Sequence, residues 1–359
     1  MLIRAVHPGV FLKEELDSLL MSVREFSKRT GISEKQLSLL LSGSANLTLD
    51  MAEKLSKFFG NSIAFWVNLQ TLYEQEKKAL FEQEEIEKDY ALLKKIDTSW
   101  LHYVLPEYDA KDKEKAVSLA RVAFQTSSLQ NLSQAKFYPI YKELRSKNEG
   151  DVFLQNVWLS VAIKKAKEYD ALVYDKSAFR LALEGIKPLT KLEPAVFYPI
   201  LVDRFKKAGV CFMVLPHLKN TNVFGASLWV EKDGSKYPLI ILSNRGHSAD
   251  VFWFSLCHEA AHVLMEHTKN LMINSLDTRS NPIEDEADIV GKAMLIASDD
   301  WMRFHPSPGQ RHTSESVNKF AKRMGLDPCI VVGWIQHDCP ETKYMYKSMK
   351  KTYDFIGIV

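Results

Sequence analysis

The 359-residue sequence predicts a mainly α protein with a small α+β part. Three observations carry that expectation. Short, capped, apolar-periodic segments fill residues 7–70, and segments of helical period separated by prolines fill 96–206. From residue 210 the apolar period shortens towards two, then returns to a helical one around 254–266. The domain boundaries expected from these changes are 1–70, a bundle of short helices; 71–206, a helical linker or middle domain; and 207–359, a domain with a small sheet.

The first segment opens on His7-Pro8-Gly9. Ser22 and Glu25 have capping-box spacing for a second helix. A turn follows at Thr30-Gly31-Ile32-Ser33, with Ser33 capping a third helix through Gln36; Gly43 ends it, and Thr48 caps a fourth over 49–58. Short helix, glycine turn, short helix is the helix-turn-helix pattern, whose second member enters the major groove. The segment resembles the Xre-type helix-turn-helix of HigA-like antitoxins in His7-Pro8-Gly9, Leu12-Lys13-Glu14-Glu15-Leu16, Gly31-Ile32-Ser33, Leu40-Leu41-Ser42-Gly43 and Phe65-Trp66-Val67-Asn68-Leu69-Gln70. The resemblance implies operator DNA as a partner, with Ser33, Glu34, Lys35, Gln36 and Leu39 facing the groove and Ser44 and Asn46 nearer the phosphates. Residues 1–60 hold eight Lys/Arg against seven Asp/Glu, a net of +1, so binding would be weak unless two or more copies act together. The alternative is a bundle that serves as a protein-docking surface, favoured if both Leu39 and Leu41 are solvent-accessible.

From residue 65 to about 95 a helical pattern rich in Glu and Lys reads as a solvated helix leading out of this segment. A homodimeric coiled-coil seam along Leu69, Leu72, Ala79, Ile86, Tyr90 and Leu93 would be interrupted by Glu76 and Gln83. Helices are then expected near 112–125, 134–146, 151–169, 176–184 and 194–208, with Trp100, Phe124, Trp158, Phe179 and Phe197 as core aromatics. No chemical motif appears there, and the region is expected to be a spacer or a sensing domain.

Runs of strand character follow at 210–215, 223–230 and 239–243, with a turn at Asp233-Gly234. A small sheet before a metal-binding helix can receive an extended peptide along an open edge. Gly225 and Ala226 permit close backbone approach, as would a plain bulge.

The stretch 254–266 carries His258-Glu259-Ala260-Ala261-His262. On a helix, positions i and i+4 share one face, so both imidazoles reach one ion, while Glu259 lies close enough to hold a metal-bound water. Phe252, Trp253, Phe254, Leu256, Val263 and Leu264 mark the helix as buried, where two histidines and a glutamate are costly without a metal. Candidates for a third ligand are Glu266, His267, Glu284, Glu286 and Asp288. A second helix begins at Pro282, and on it Glu284 and Asp288 share a face while Glu286 is rotated about 200° away. Glu284 is therefore assigned to the metal, and Asp288 to the far nitrogen of a histidine ligand, fixing its tautomer.

Residues 207–304 resemble the ImmA/IrrE metallopeptidases. The resemblance runs through Ala208-Gly209-Val210, Val214-Leu215-Pro216, Gly225-Ala226-Ser227, 238–245, 252–262 and Glu284-Asp285-Glu286-Ala287-Asp288. It implies a gluzincin-like metallopeptidase domain, Zn2+ on His258, His262 and Glu284, Glu259 as general base, and a repressor or antitoxin-like protein as substrate. Ala261, Ile289-Val290-Gly291 and Ala297 depart from the usual family residues without removing a ligand.

The remaining numbers narrow the class. A net charge of +2 argues against a strongly basic nucleic-acid binder. Four cysteines without a Cys-x-x-Cys pair suggest reduced thiols in a cytosolic protein. No signal-peptide core and no bilayer-length apolar run are present, so the chain is expected to be cytoplasmic, with no membrane partner. The expected function is a zinc-dependent endopeptidase with its own DNA-binding-type domain. The alternative is an Xre-family regulator or antitoxin whose metal site is structural or sensory. His267 and Arg245 are the candidate oxyanion donors.

Overall fold

A computed structural model describes residues 6–134, 140–143, 150–170, 172–267, 282–305, 312–355 and 358. The chain divides into two compact units, Met1–Tyr90 and Ala91–Val359. The stretch 71–206, expected as a middle domain, is thus shared between the two.

The first unit contains α1 (Pro8–Ser18), α2 (Val23–Thr30), α3 (Glu34–Leu41), α4 (Leu49–Phe59) and most of α5 (Ile63–Leu93). Its caps are the ones the sequence dictates. His7 Nδ1 accepts from Gly9 N, Ser22 Oγ from Glu25 N and Thr48 Oγ1 from Met51 N. Ser33 and Gln36 form the full reciprocal box, whereas Glu25 turns away from Ser22 to pair with Arg29 at 2.8 Å. Leu12, Leu16, Phe26, Leu37, Leu40, Leu55 and Trp66 fill the core.

The second unit is built on a four-stranded sheet of order β1-β3-β4-β2, formed by β1 (Ile140–Glu143), β2 (Cys211–Leu215), β3 (Val223–Lys232) and β4 (Ser235–Ser243). β3 and β4 form a hairpin across Asp233 and Gly234, both at positive φ. β2 runs parallel to β4. The helix expected over 134–146 is not formed at 140–143, which is strand, held in that state by antiparallel pairing with β3.

Around this sheet lie α6 (Thr98–Val104), α7 (Lys113–Ala123), α8 (Leu129–Gln134), α9 (Val152–Lys167), α10 (Lys176–Glu184) and α11 (Pro194–Lys207). They are followed by α12 (Ala249–Leu264), α13 (Pro282–Leu295), α14 (Ser298–Phe304), α15 (Ser314–Met324) and α16 (Pro328–Asp338). The helices before the sheet are fastened to it by polar bonds as well as apolar contact. Trp100 and Trp158 both donate their indole N–H to Pro216 O, at 3.1 and 3.2 Å, and Tyr237 Oη donates to Ala166 O at 2.6 Å. That fastening explains why 91–206 is no independent spacer.

α12 is buried along nearly its whole length, against β3, β4, α13 and α16. It is the central helix of the larger core, with Phe197, Trp253, Leu256, Ile240 and Ile330 among its neighbours in that cluster. Among the described residues no helix is long and apolar enough to cross a membrane.

Candidate metal centre

His258, Glu259 and His262 come from the middle of α12 and are 2, 0 and 0 % exposed. Burial this complete means that each polar atom must find a partner inside the protein. Glu284 enters from the first turn of α13, and its nearest oxygens stand 3.2 Å from His258 Nε2 and 3.3 Å from His262 Nε2. The two Nε2 atoms are 3.1 Å apart. One atom from each of the three residues lies within 4.8 Å of the others, a spacing suited to a shared ion.

The outer nitrogens are held from behind. His258 Nδ1 is 2.7 Å from Asp288 Oδ1, where the carboxylate can only accept, so Nδ1 carries the hydrogen and Nε2 presents its lone pair inwards. His262 Nδ1 is 3.0 Å from His267 Nδ1, and His267 Nε2 is 3.1 Å from Glu286 Oε2. Glu286 fixes the hydrogen on His267 Nε2, which makes His267 Nδ1 an acceptor and His262 Nδ1 a donor. Both inward nitrogens are then lone pairs facing each other and the Glu284 carboxylate. Glu284 Oε1 and both oxygens of Glu259 lack hydrogen-bond partners. Such a group of acceptors with no hydrogen among them repels itself unless a cation joins it, and two imidazoles with one carboxylate suit zinc.

The electrostatics follow from the same contacts. Burial raises the Glu284 carboxyl; with protons on the inward nitrogens the rings of His258 and His262 would overcome that and bring it down to about 2, and a cation seated among the lone pairs acts on it in the same sense. Burial raises the Glu259 carboxyl; the two rings and the Ser227 hydroxyl oppose that shift, although Ser227 Oγ makes no well-formed hydrogen bond. Burial lowers His267, partly offset by its bond to Glu286. A Cβ placed on Gly225 of β3 would stand 3.0 Å from Glu259 Cγ, so glycine lets the strand lie against the carboxylate. Gly291 of α13 meets the backbone of Cys257 and His258 at 3.0 Å in the same sense. The unusual glycine at that position is what allows α13 to approach the histidine helix.

The expected edge and two expected side chains fall elsewhere. Glu286 points away from the inward group, as its rotation requires, yet holds His267. His267 is thereby occupied behind His262 and is no free oxyanion donor. Arg245 lies over the Phe224 ring at 4.8 Å, outside the ligand group, with Nη1 buried and unpartnered. The sheet edge beside Gly225 is not open: β1 pairs along it. Sequence reasoning missed the His267–Glu286 pair as a support for His262. The signal lay in the chain reversal at Glu266, whose φ of +55° turns the residue after it back towards the helix it has just left.

In the first unit Glu34, Lys35 and Ser44 are exposed, and Gln36 is committed to the cap of α3. Asn46 Nδ2 donates to Glu74 Oε1 at 3.0 Å, which draws it onto α5. Leu39 is exposed, but Leu41 is half-buried against the core, so the condition for an apolar docking face there is not met.

Fold and site define a two-part protein: a helix-turn-helix bundle, and a sheet-and-helix domain with a buried His/His/Glu group. Comparison with known proteins agrees. Residues 12–66 match the family model described as helix-turn-helix, and residues 214–326 match the IrrE N-terminal-like domain, a metallopeptidase-type family. Residues of the first unit are 45% identical over 66 positions to the HTH-type transcriptional regulator YddM of Escherichia coli K12, a match covering 18% of this chain and 70% of that protein. The match to virulence-associated protein A' of Dichelobacter nodosus is 38% over 69 residues, covering 19% of this chain and 60% of that one. Among solved structures, an addiction module antidote protein of a HigA family from Coxiella burnetii is 36% identical, covering 24% of this chain and 96% of its own, at a TM-score of 0.23. Through its first unit the chain belongs to the helix-turn-helix family, with an IrrE N-terminal-like domain in its second.

Proposed function

We propose that the protein is a zinc-dependent endopeptidase carrying a DNA-binding-type domain, working in the cytoplasm on a repressor or antitoxin-like protein. The observation that carries this reading is the pairing of an inward-facing His258/His262/Glu284 group with a wholly buried, unpartnered Glu259 carboxylate. His258, His262 and Glu284 would hold the metal. When bound, the metal supplies Lewis acidity towards a peptide carbonyl and towards water.

The chain's own residues do the rest. Asp288 and the His267–Glu286 pair hold the two rings with their lone pairs inwards. Glu259, raised by burial, accepts the proton of the attacking water and delivers it to the leaving amine. Gly225 lets β3 itself lie against that carboxylate. A purely structural ion has no use for an unpaired base beside it, since burying that carboxylate is costly.

The second reading is a transcriptional regulator or antitoxin whose metal group is structural or sensory. It is favoured by the likeness of the first unit to HTH-type transcriptional regulators. Operator DNA would then meet Ser33, Glu34, Lys35, Gln36, Leu39, Ser44 and Asn46, with a homodimer supplying enough cations.

One experiment separates the two. Purified protein should hold about one zinc per chain, and His258→Ala should lose it. With a repressor encoded beside this gene as substrate, Glu259→Gln should keep the zinc and lower cleavage by roughly 10²–10⁴-fold. Cleavage equal to that of the parent protein would remove the peptidase reading.

A further inference from the structure

A pocket opens where one end of the β3–β4 ladder meets the N-terminal half of α12. Phe224, Leu242, Val251, Tyr353 and Phe355 give it apolar walls, and Arg245 gives it a cation. Val251, Ser255 and Glu259 follow one another at four-residue intervals on α12, so the pocket continues the stripe that carries the candidate base. Ser255 lines it one helical turn, about 6 Å, before Glu259. Leu242 joins the same two places: a Cβ on Gly225 would meet Leu242 Cδ2 at 2.8 Å and Glu259 Cγ at 3.0 Å. An extended peptide advances about 3.3 Å per residue, so a side chain within about two residues of a bond held at Glu259 comes to this pocket.

The pocket is built before any guest arrives. Tyr353 N donates to His247 O at 2.7 Å and Ala249 N to Lys351 O at 3.0 Å, which fastens the C-terminal wall to the start of α12. The Arg245 guanidinium rests on the Phe224 ring, and its Nη1 is buried without a hydrogen-bond partner. A buried donor left in that state is costly, and a carboxylate guest would satisfy it. Among the described residues no Asp or Glu lines the pocket to do so from within. The charge is felt nearby: after burial, Arg245 and then His247 are what lower His217.

We propose that Arg245 and the walls around it form a specificity pocket for an acidic side chain, Asp or Glu, lying within about two residues of the cleaved bond. This rests on the peptidase reading and names the substrate feature that the site selects. Stacking on Phe224 fixes the plane of the guanidinium, so its free hydrogens point in a set direction. The methylenes of the acidic residue meet the apolar walls, and its carboxylate accepts from Nη1. The corresponding amide has the same shape and loses the charge-assisted part of that bond, while a lysine there is repelled.

The test uses the zinc-loaded full chain and quenched-fluorescent octapeptides, random except for Glu, Gln, Asp or Asn at one fixed position. Cleavage should favour the acid over its amide by about 10–100-fold at one position beside the cleaved bond. Arg245→Met should bring that ratio to about one, and Arg245→Lys should keep its direction. Binding gives a second readout: on the slowly cleaving Glu259→Gln variant, fluorescence anisotropy should show labelled acidic peptides binding roughly tenfold or more tighter than their amides, and adding Arg245→Met should remove the difference. Equal use of acid and amide by the parent protein, or a preference that Arg245→Met leaves intact, overturns the proposal and leaves the peptidase reading standing. If the parent protein cleaves none of the peptides, the peptidase reading falls and takes this proposal with it.

Discussion

His258 and His262 are poised as a pair of lone pairs because of what stands behind them. Replacing Asp288 by Ala frees the His258 ring to choose its tautomer, and zinc affinity should fall about 10–100-fold without loss of fold. Competition with a chelator measures it; an unchanged dissociation constant would show that the ring is oriented by packing alone. A second residue-scale effect comes from His217, away from the ligand group. Burial first, then the charges of Arg245 and His247, lower it to about 4. Its unfolded value of 6.5 is higher, so between the two the unfolded chain binds more protons. Stability therefore rises with pH across that window, is complete above it and is lost towards pH 4, by at most about 3 kcal/mol. Urea unfolding at stepped pH should show this fall, and His217→Gln should flatten it.

At the scale of elements, the centre depends on how closely two helices and one strand approach. α12 supplies three of the four residues on its own, because a helix of this period sets them on adjoining faces. α13 supplies the fourth only if it can lie against α12 at Gly291. Gly291→Val should push α13 outwards, costing about 1–3 kcal/mol of stability and most of the zinc affinity. Retention of stoichiometric zinc by that variant would mean that the helices have slack. These elements were legible in unequal degree. The capped helices of the first unit, the hairpin at Asp233-Gly234 and the ligand helix carry local signals, namely caps, a turn and a period. β1 carries none: its strand state comes from pairing with β3, far along the chain, and a helical period misassigned it.

For the whole molecule, the division into Met1–Tyr90 and Ala91–Val359 predicts that two activities can be altered separately. Lys35→Glu reverses the charge of an exposed side chain on α3 and should abolish a gel shift on the protein's own promoter while keeping zinc and cleavage. Glu259→Gln should do the reverse. Sites that share no partner add independently, so the double variant should show both losses and no third. Loss of zinc in Lys35→Glu would contradict that independence.

The sequence by itself determined the make-up of the candidate metal centre: two imidazoles one turn apart, a carboxylate between them and acids one helix later, because spacing along a helix is a local property. It also determined the helix-turn-helix, through Ser22, Gly31, Ser33 and Thr48, each acting on backbone within a few residues. Only the tertiary structure decided that His267 and Glu286 stand behind His262, that 91–206 is fastened to the sheet through Pro216 and Ala166, and that the outer edge of β3 is covered by β1. Those contacts join residues distant in the chain or turned back on it, and their energy comes from burial and pairing that no local pattern records.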